Sequence, residues 1–163
     1  MNLPSIKLDV DIMNFSLEQF AEKFNSFDMI HCSLPLDMLI KMPNISSLIP
    51  KGFIFIWVEK GEIQIGYHWL NRIGFDVIDQ IMWIKTNEMV NEVKYDENTD
   101  DEIFPNCRST CLVGYKCSAS QRTEYCTKIS NNIIFSPDRP ASIEKPDEIY
   151  EIGDLMMPGA KKL

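Results

Sequence analysis

No apolar run in this sequence reaches the length needed to cross a bilayer. The longest, residues 52–58 and 77–84, are strand-length and edged by charge. The first ten residues lack a basic start followed by an apolar stretch, so the pattern of a secretory signal is missing as well. Both absences lead to the expectation of a soluble, intracellular chain with no membrane partner. Positive charge is also scarce: 16 Lys and Arg against 24 Asp and Glu leave a net charge of -8. A protein that grips nucleic acid unaided takes most of its affinity from Lys and Arg on phosphates. A free-standing nucleic-acid module is therefore disfavoured, and any work on DNA or RNA needs a partner that supplies cations. The five cysteines, Cys32, Cys107, Cys111, Cys117 and Cys126, contain no C-x-x-C knuckle, and neither His31 nor His68 lies near the later four. Closed zinc sites pair their ligands at short spacing, so no metal is expected and the thiols read as reduced, small buried hydrophobes. There is no internal repeat and no G-x-G-x-x-G.

What is present fits one globular domain over residues 1–163. Its composition is 45% hydrophobic and 25% charged. Residues 1–26 read as an N-terminal arm and helix. Within it Ser16 and Gln19 have the spacing of a capping box, and Phe20 and Phe24 share one face of a helix over 16–25. Residues 27–31 form a short apolar strand, and Ser33-Leu34-Pro35 reads as a turn. Residues 53–58 are apolar on both faces, which predicts a central strand covered on both sides. Residues 62–73 carry Ile65, Trp69 and Ile73 at fourfold spacing, with Gly74 as the C-cap, and read as a crossover helix. Further strands are expected at 77–85, 111–115 and 132–135, and a final helix begins at Lys145-Pro146-Asp147 and closes near Met157-Pro158-Gly159. Between the first and second of these strands, the polar, acidic stretch 86–109 reads as a long solvated loop. Strand–helix alternation with doubly apolar strands predicts an α/β domain with a mostly parallel sheet.

Four segments stand out in order. They are Lys51-Gly52-Phe53-Ile54-Phe55-Ile56-Trp57-Val58, Ile81-Met82-Trp83-Ile84-Lys85-Thr86-Asn87, Cys111-Leu112-Val113-Gly114 and Ile143-Glu144-Lys145-Pro146-Asp147-Glu148-Ile149-Tyr150. Together they resemble the family of eukaryotic adenine-N6 methyltransferases that modify mRNA and, in ciliates, DNA, from about residue 27 to the C-terminus. The resemblance implies a Rossmann-like methyltransferase fold, with a mostly parallel central sheet flanked by helices and without a full C-terminal strand segment. Active members of the family carry Asp-Pro-Pro-Trp after the strand that here is 27–31. The amine of adenine is a poor nucleophile, so such enzymes flip the base out and hold the amine with a carboxylate and a backbone carbonyl. An aromatic side chain stacks on the base, and S-adenosylmethionine lies in line behind.

Here the four positions are Ser33, Leu34, Pro35 and Leu36. The acid has become a hydroxyl, the first proline a leucine, and the stacking ring an aliphatic chain. By resemblance the family continues past Lys161-Lys162-Leu163 with a Phe-Gly-Arg strand end and an Asn-bearing segment on the cofactor ribose, which this sequence does not show. The expectation is a non-catalytic subunit closest to the family's degenerate partner branch. Such a chain binds no cofactor, pairs with a catalytic paralogue that holds S-adenosylmethionine, and meets DNA or RNA through that complex, with further DNA-binding subunits conceivable and the nucleus as compartment. The alternative is an active S-adenosylmethionine-dependent adenine methyltransferase with an altered site, in which another acid such as Asp37 receives the amine. Candidate groove residues facing nucleic acid are Lys85, Asn87, Lys94, Arg108 and Lys116, with Arg122 as a further rim cation; scattered surface charge is the competing reading. Trp69 reads as core from its helical spacing, whereas Trp57 and Trp83 stand between core and base stacking.

Overall fold

In the computed structural model, the residues described are 16–41, 44–86, 107–117, 130–137 and 145–163. They form the helices α1 (Leu17–Phe24), α2 (Leu36–Leu39), α3 (Ile63–Arg72) and α4 (Glu148–Met156), and the strands β1 (Met29–Cys32), β2 (Gly52–Val58), β3 (Asp76–Lys85), β4 (Arg108–Lys116) and β5 (Ile133–Ser136). A short 3-10 turn, Ile45–Leu48, precedes β2 and is capped by the Asn44 side chain, which accepts from the Ser46 amide at 3.0 Å.

Alternation along β2 builds the core. Successive side chains of a strand point to opposite faces, so Phe53, Phe55 and Trp57 join one apolar layer and Ile54, Ile56 and Val58 the other. The first layer continues through Met29, Ile81, Trp83, Cys111, Val113 and Ile134 under α4. The second continues through Ile30 and Leu112 under α1, α2, the 3-10 turn and α3. All of β2 is buried, as its doubly apolar sequence predicts.

The sheet is not mostly parallel. Its order is β1-β2-β4-β3-β5. β1 with β2 and β3 with β5 are parallel, while the central β4 runs antiparallel to both neighbours. Burial on both faces requires a central strand but does not set its direction; the connections into and out of β4 do, and they lie outside the described residues. α3 still joins two strands of like direction, but β4 is inserted between them. The acidic loop expected to run to residue 109 gives way to β4 at Arg108, because Ser109 and Arg108 pair with Trp83 and Ile84 of β3. A strand flanked on both sides needs its backbone groups satisfied along its full length.

Helix α3 presents Gly66, Trp69 and Leu70 to the sheet, with Ile73 just beyond its end. Ile65 is 50% exposed, so the expected fourfold stripe holds only for Trp69 and Ile73. Gly74 follows with φ 89°, the left-handed cap conformation expected of it. Gly66 sets how closely α3 approaches: a Cβ there would stand 2.8 Å from Leu112 Cδ1 and 2.9 Å from Val58 Cγ1. Gly66→Ala gains helix propensity of about 1 kcal/mol. It must nonetheless push two fully buried side chains aside, and we expect a net loss of about 1–2 kcal/mol, read as a lower urea midpoint.

Residues 161–163 run parallel along the outer edge of β1. Asp28 N donates to Lys161 O (2.9 Å), His31 N to Leu163 O (2.8 Å) and Leu163 N to Met29 O (3.0 Å). The Asp28 carboxylate accepts from Lys161 N at 3.0 Å, and the Lys161 ammonium donates to Phe24 O. These three residues therefore sit where a strand following α4 would pair.

Candidate functional site

Parallel direction brings the carboxyl ends of β1, β2, β3 and β5 to one rim of the sheet, and the antiparallel β4 contributes its first residues there. In open α/β sheets this rim is where ligands bind. It carries the 33–36 loop, Lys85, Arg108, Ser136 and the segment leading into α4.

Ser33 is exposed at the end of β1. Leu34 packs against the core on the α3 side, and Leu36, only 2% exposed, is part of that core. Pro35 caps α2, its carbonyl accepting from the amides of Met38 (3.0 Å) and Leu39 (3.1 Å). The two residues that replace a proline and an aromatic platform thus face inward, and the loop offers neither a carboxylate nor a ring face at the rim. Asp37, the substitute acid considered above, has a side chain 63% exposed and paired with Lys41 at 3.4 Å.

The neighbouring crevice on the α4 side is filled by side chains. His31 Nε2 accepts from the indole N–H of Trp57 at 2.8 Å. The Tyr150 ring, from α4, meets the imidazole edge-on with centroids 4.9 Å apart. Trp83 lies edge-on to Trp57 at 6.1 Å, and its own indole N–H donates to Ser136 O at 3.0 Å. Lys145 sets its ammonium 5.5 Å from the Trp57 ring centre. Trp57 and Trp83 are each 3% exposed, which resolves both in favour of core; Trp69 is buried as expected. The indole N–H groups of Trp57 and Trp83 are used by partners within the chain, as buried indoles require. Beyond Lys145 a cleft of about 460 Å³ opens, lined by Trp83, Ser136, Pro137, Lys145, Pro146, Asp147, Glu148 and Glu151.

Burial, with Lys145 close by, lowers the His31 pKa from 6.5 to about 4. The imidazole is therefore neutral at physiological pH, the state that can accept from Trp57. Between the two values the unfolded chain binds a proton that the folded chain refuses, so stability falls as pH drops through this window and is fully retained above it. Two and a half pH units at about 1.4 kcal/mol each make a contribution of about 3 kcal/mol. We expect His31→Gln, which keeps an acceptor but does not titrate, to flatten the fall in urea midpoint between pH 6.5 and 4.

Of the groove candidates, the sheet brings Lys85 and Arg108 to the same rim, since Ile84 pairs with Arg108. The Lys85 ammonium lies 5.4 Å from the Trp83 ring centre. Lys116 is at the opposite end of β4, paired with Gly52, and its ammonium donates to Ser46 O (3.0 Å) and Oγ (2.5 Å). It is not part of the rim. Asn87, Lys94 and Arg122 lie outside the described residues.

Cys111 is buried, and burial pushes its thiol well above the ordinary range; Cys32 is pushed up to about 12 by the same cause. Cys107 and Cys117 are half-buried, and Cys126 lies outside the described residues. Among the described residues, no group of three or more His, Cys, Asp or Glu is arranged to hold a metal ion.

Sequence reasoning missed the role of His31, weighing it only as a metal ligand. The available signal was parity: His31 lies two residues after Met29, on the face that β2 lines with Phe53, Phe55 and Trp57, and a polar side chain there requires a partner.

The family model MT-A70 matches residues 22–163. The chain is 27% identical to the "Putative N(6)-adenosine-methyltransferase MT-A70-like" protein of Medicago truncatula, over 96% of this chain and 26% of that protein. It is 29% identical to the N(6)-adenosine-methyltransferase catalytic subunit METTL3 of Homo sapiens, over 82% of this chain and 23% of that one. It is also 27% identical to the N(6)-adenosine-methyltransferase non-catalytic subunit METTL14 of Danio rerio, over 99% of this chain and 40% of that one. The chain thus spans about a quarter of the length of the first two and less than half of the third.

Proposed function

Since this chain belongs to the MT-A70 family, we propose that it is a non-catalytic methyltransferase-like subunit. It pairs with a catalytic adenine-N6 methyltransferase paralogue, stabilises it, and lines part of the nucleic-acid groove. Overall identity does not choose between the branches, because a relative named as catalytic and one named as non-catalytic match at 29% and 27%. The observation that carries the reading is the 33–36 loop, in which the acid is absent and Leu34 and Leu36 turn into the core. Removing a single preorganised polar group from such a site costs about 3–4 kcal/mol of transition-state stabilisation. Here both the anion and the platform are missing. Asp37, turned to solvent and paired with Lys41, is no replacement.

In this reading S-adenosylmethionine sits in the partner, DNA or RNA reaches the complex across both subunits, and the nucleus is the compartment that the family resemblance suggests. Among the described residues no helix is long and apolar enough to cross a membrane. Co-expression with a tagged catalytic paralogue tests the pairing: a complex with one copy of each chain is expected. Recovery of this chain only as a free monomer would refute it.

Lys85 and Arg108 form this chain's share of the groove, with Asn87 and Lys94 following in the segment after β3. Against a duplex, each phosphate contact contributes about 0.9 to the slope of log affinity on log salt. Lys85→Ala with Arg108→Ala, measured in the assembled complex, is therefore expected to lower that slope by about 2. An unchanged slope removes both residues from the groove.

A further inference from the structure

We infer that the residues at the rim do not accommodate S-adenosylmethionine, because His31, clasped between Trp57 and Tyr150, closes the passage between the 33–36 loop and the Lys145 cleft. The inference rests on the non-catalytic reading and adds a cause that the loop alone does not supply. Loss of a carboxylate removes chemistry, but it leaves a cofactor pocket open; filling the pocket removes the cofactor.

The methyl donor is an extended molecule, a nucleoside at one end and an amino acid at the other. To place its methyl group near Ser33 while its charged end engages polar groups such as Lys145 and Asp147 in the cleft, it has to lie across the end of β1 on the α4 side. The imidazole of His31 stands at that end: the residue is the last but one of β1, and its ring meets Tyr150 of α4. The residue is held at three points. Its backbone amide donates to Leu163 O at 2.8 Å, anchoring the residue in the sheet. Its Nε2 accepts from Trp57 at 2.8 Å, and the Tyr150 ring lies edge-on at 4.9 Å. Trp57 is held in turn against Trp83 at 6.1 Å, so the imidazole cannot swing toward β3 without displacing two buried indoles. Lys145, 5.5 Å from the Trp57 ring centre, lines the cleft on that side. The 460 Å³ cleft stops short of His31 and Tyr150, neither of which lines it.

Two truncations open the passage from opposite sides. His31→Ala removes the ring, and Tyr150→Ala removes its clasp; Tyr150 is about half exposed, so that loss is compatible with folding. His31→Gln keeps both bulk and an acceptor for Trp57. Isothermal titration with S-adenosylhomocysteine as the probe, on the full chain, distinguishes them. The wild type and His31→Gln are expected to give no saturable heat at a probe concentration of about 1 mM, whereas His31→Ala and Tyr150→Ala bind with a dissociation constant below about 100 μM, a gain of at least tenfold. Cooperative urea unfolding of each variant certifies the fold, and Tyr150→Ala decides if His31→Ala does not fold. Saturable binding by the wild type overturns the inference, as does silence from a folded Tyr150→Ala and His31→Ala pair. The fate of the pairing proposal is separate. A wild-type chain that binds the probe yet still forms the complex sinks only the closed passage, and an opened variant that binds while the wild type forms no complex sinks only the pairing.

Discussion

Gly52→Ala is expected to be severely destabilising. Gly52 has φ 134°, a backbone conformation that side-chain-bearing residues rarely adopt, and an ideal Cβ would lie 2.0 Å from the Asp28 carbonyl oxygen and 2.8 Å from its carbon. Nothing flexible stands in the way; the obstruction is backbone. That same oxygen accepts from Phe53 N at 2.9 Å, the bond that begins the pairing of β1 with β2. The Asp28 side chain also holds Lys161. Alanine therefore strains its own backbone by about 1–3 kcal/mol and forces β1 from the sheet at the point where its register is set. A total above about 4 kcal/mol is expected, against about 5–15 kcal/mol for a typical domain. Gly61 is the control: a Cβ there meets nothing within 4 Å, and Gly61→Ala should move stability by no more than about 0.5 kcal/mol. Urea melts of both variants check the contrast.

The second large effect concerns the assembled complex. Neutralising the acid in the catalytic paralogue's own loop should lower methyl transfer by about 10²–10³-fold, the usual consequence of removing a group that stabilises the reacting centre. Ser33→Ala in this chain should leave the rate within about twofold, because a hydroxyl exposed on a loop with no anion and no platform holds no reacting atom. Turnover of an adenine-containing oligonucleotide by the two complexes measures both. A comparable loss from Ser33→Ala would move chemistry onto this chain and end the non-catalytic reading.

Sequence pattern carried the architecture where pattern and burial are the same fact. β2 could be read because Phe53 to Val58 are apolar at both parities, and both faces of the sheet are covered. Strand direction was not legible: β4, buried from Ser109 to Gly114, runs opposite to its neighbours, and the hydrophobic period is blind to polarity. Ile65 shows the other limit. Its fourfold spacing from Trp69 fits a helical stripe, but α3 approaches the sheet along Gly66 and Leu70, a face defined by a residue with no side chain to signal it. At the site, the broken acid-proline-proline-aromatic motif was visible in four letters. The inward turn of Leu34 and Leu36 and the clasp on His31 were not, since they depend on which face of β1 meets α4. Lys116 looked like a rim cation until the register placed it opposite Gly52, at the far end of β4 from Arg108.

The most direct test is transfer of labelled methyl groups from S-adenosylmethionine to an adenine-containing oligonucleotide by the purified chain alone, by a catalytic paralogue alone, and by the two together. A subunit that supports without reacting predicts background counts from the first and more from the mixture than from the paralogue by itself. Methylation above background by this chain alone would contradict the account, and so would a paralogue indifferent to its presence.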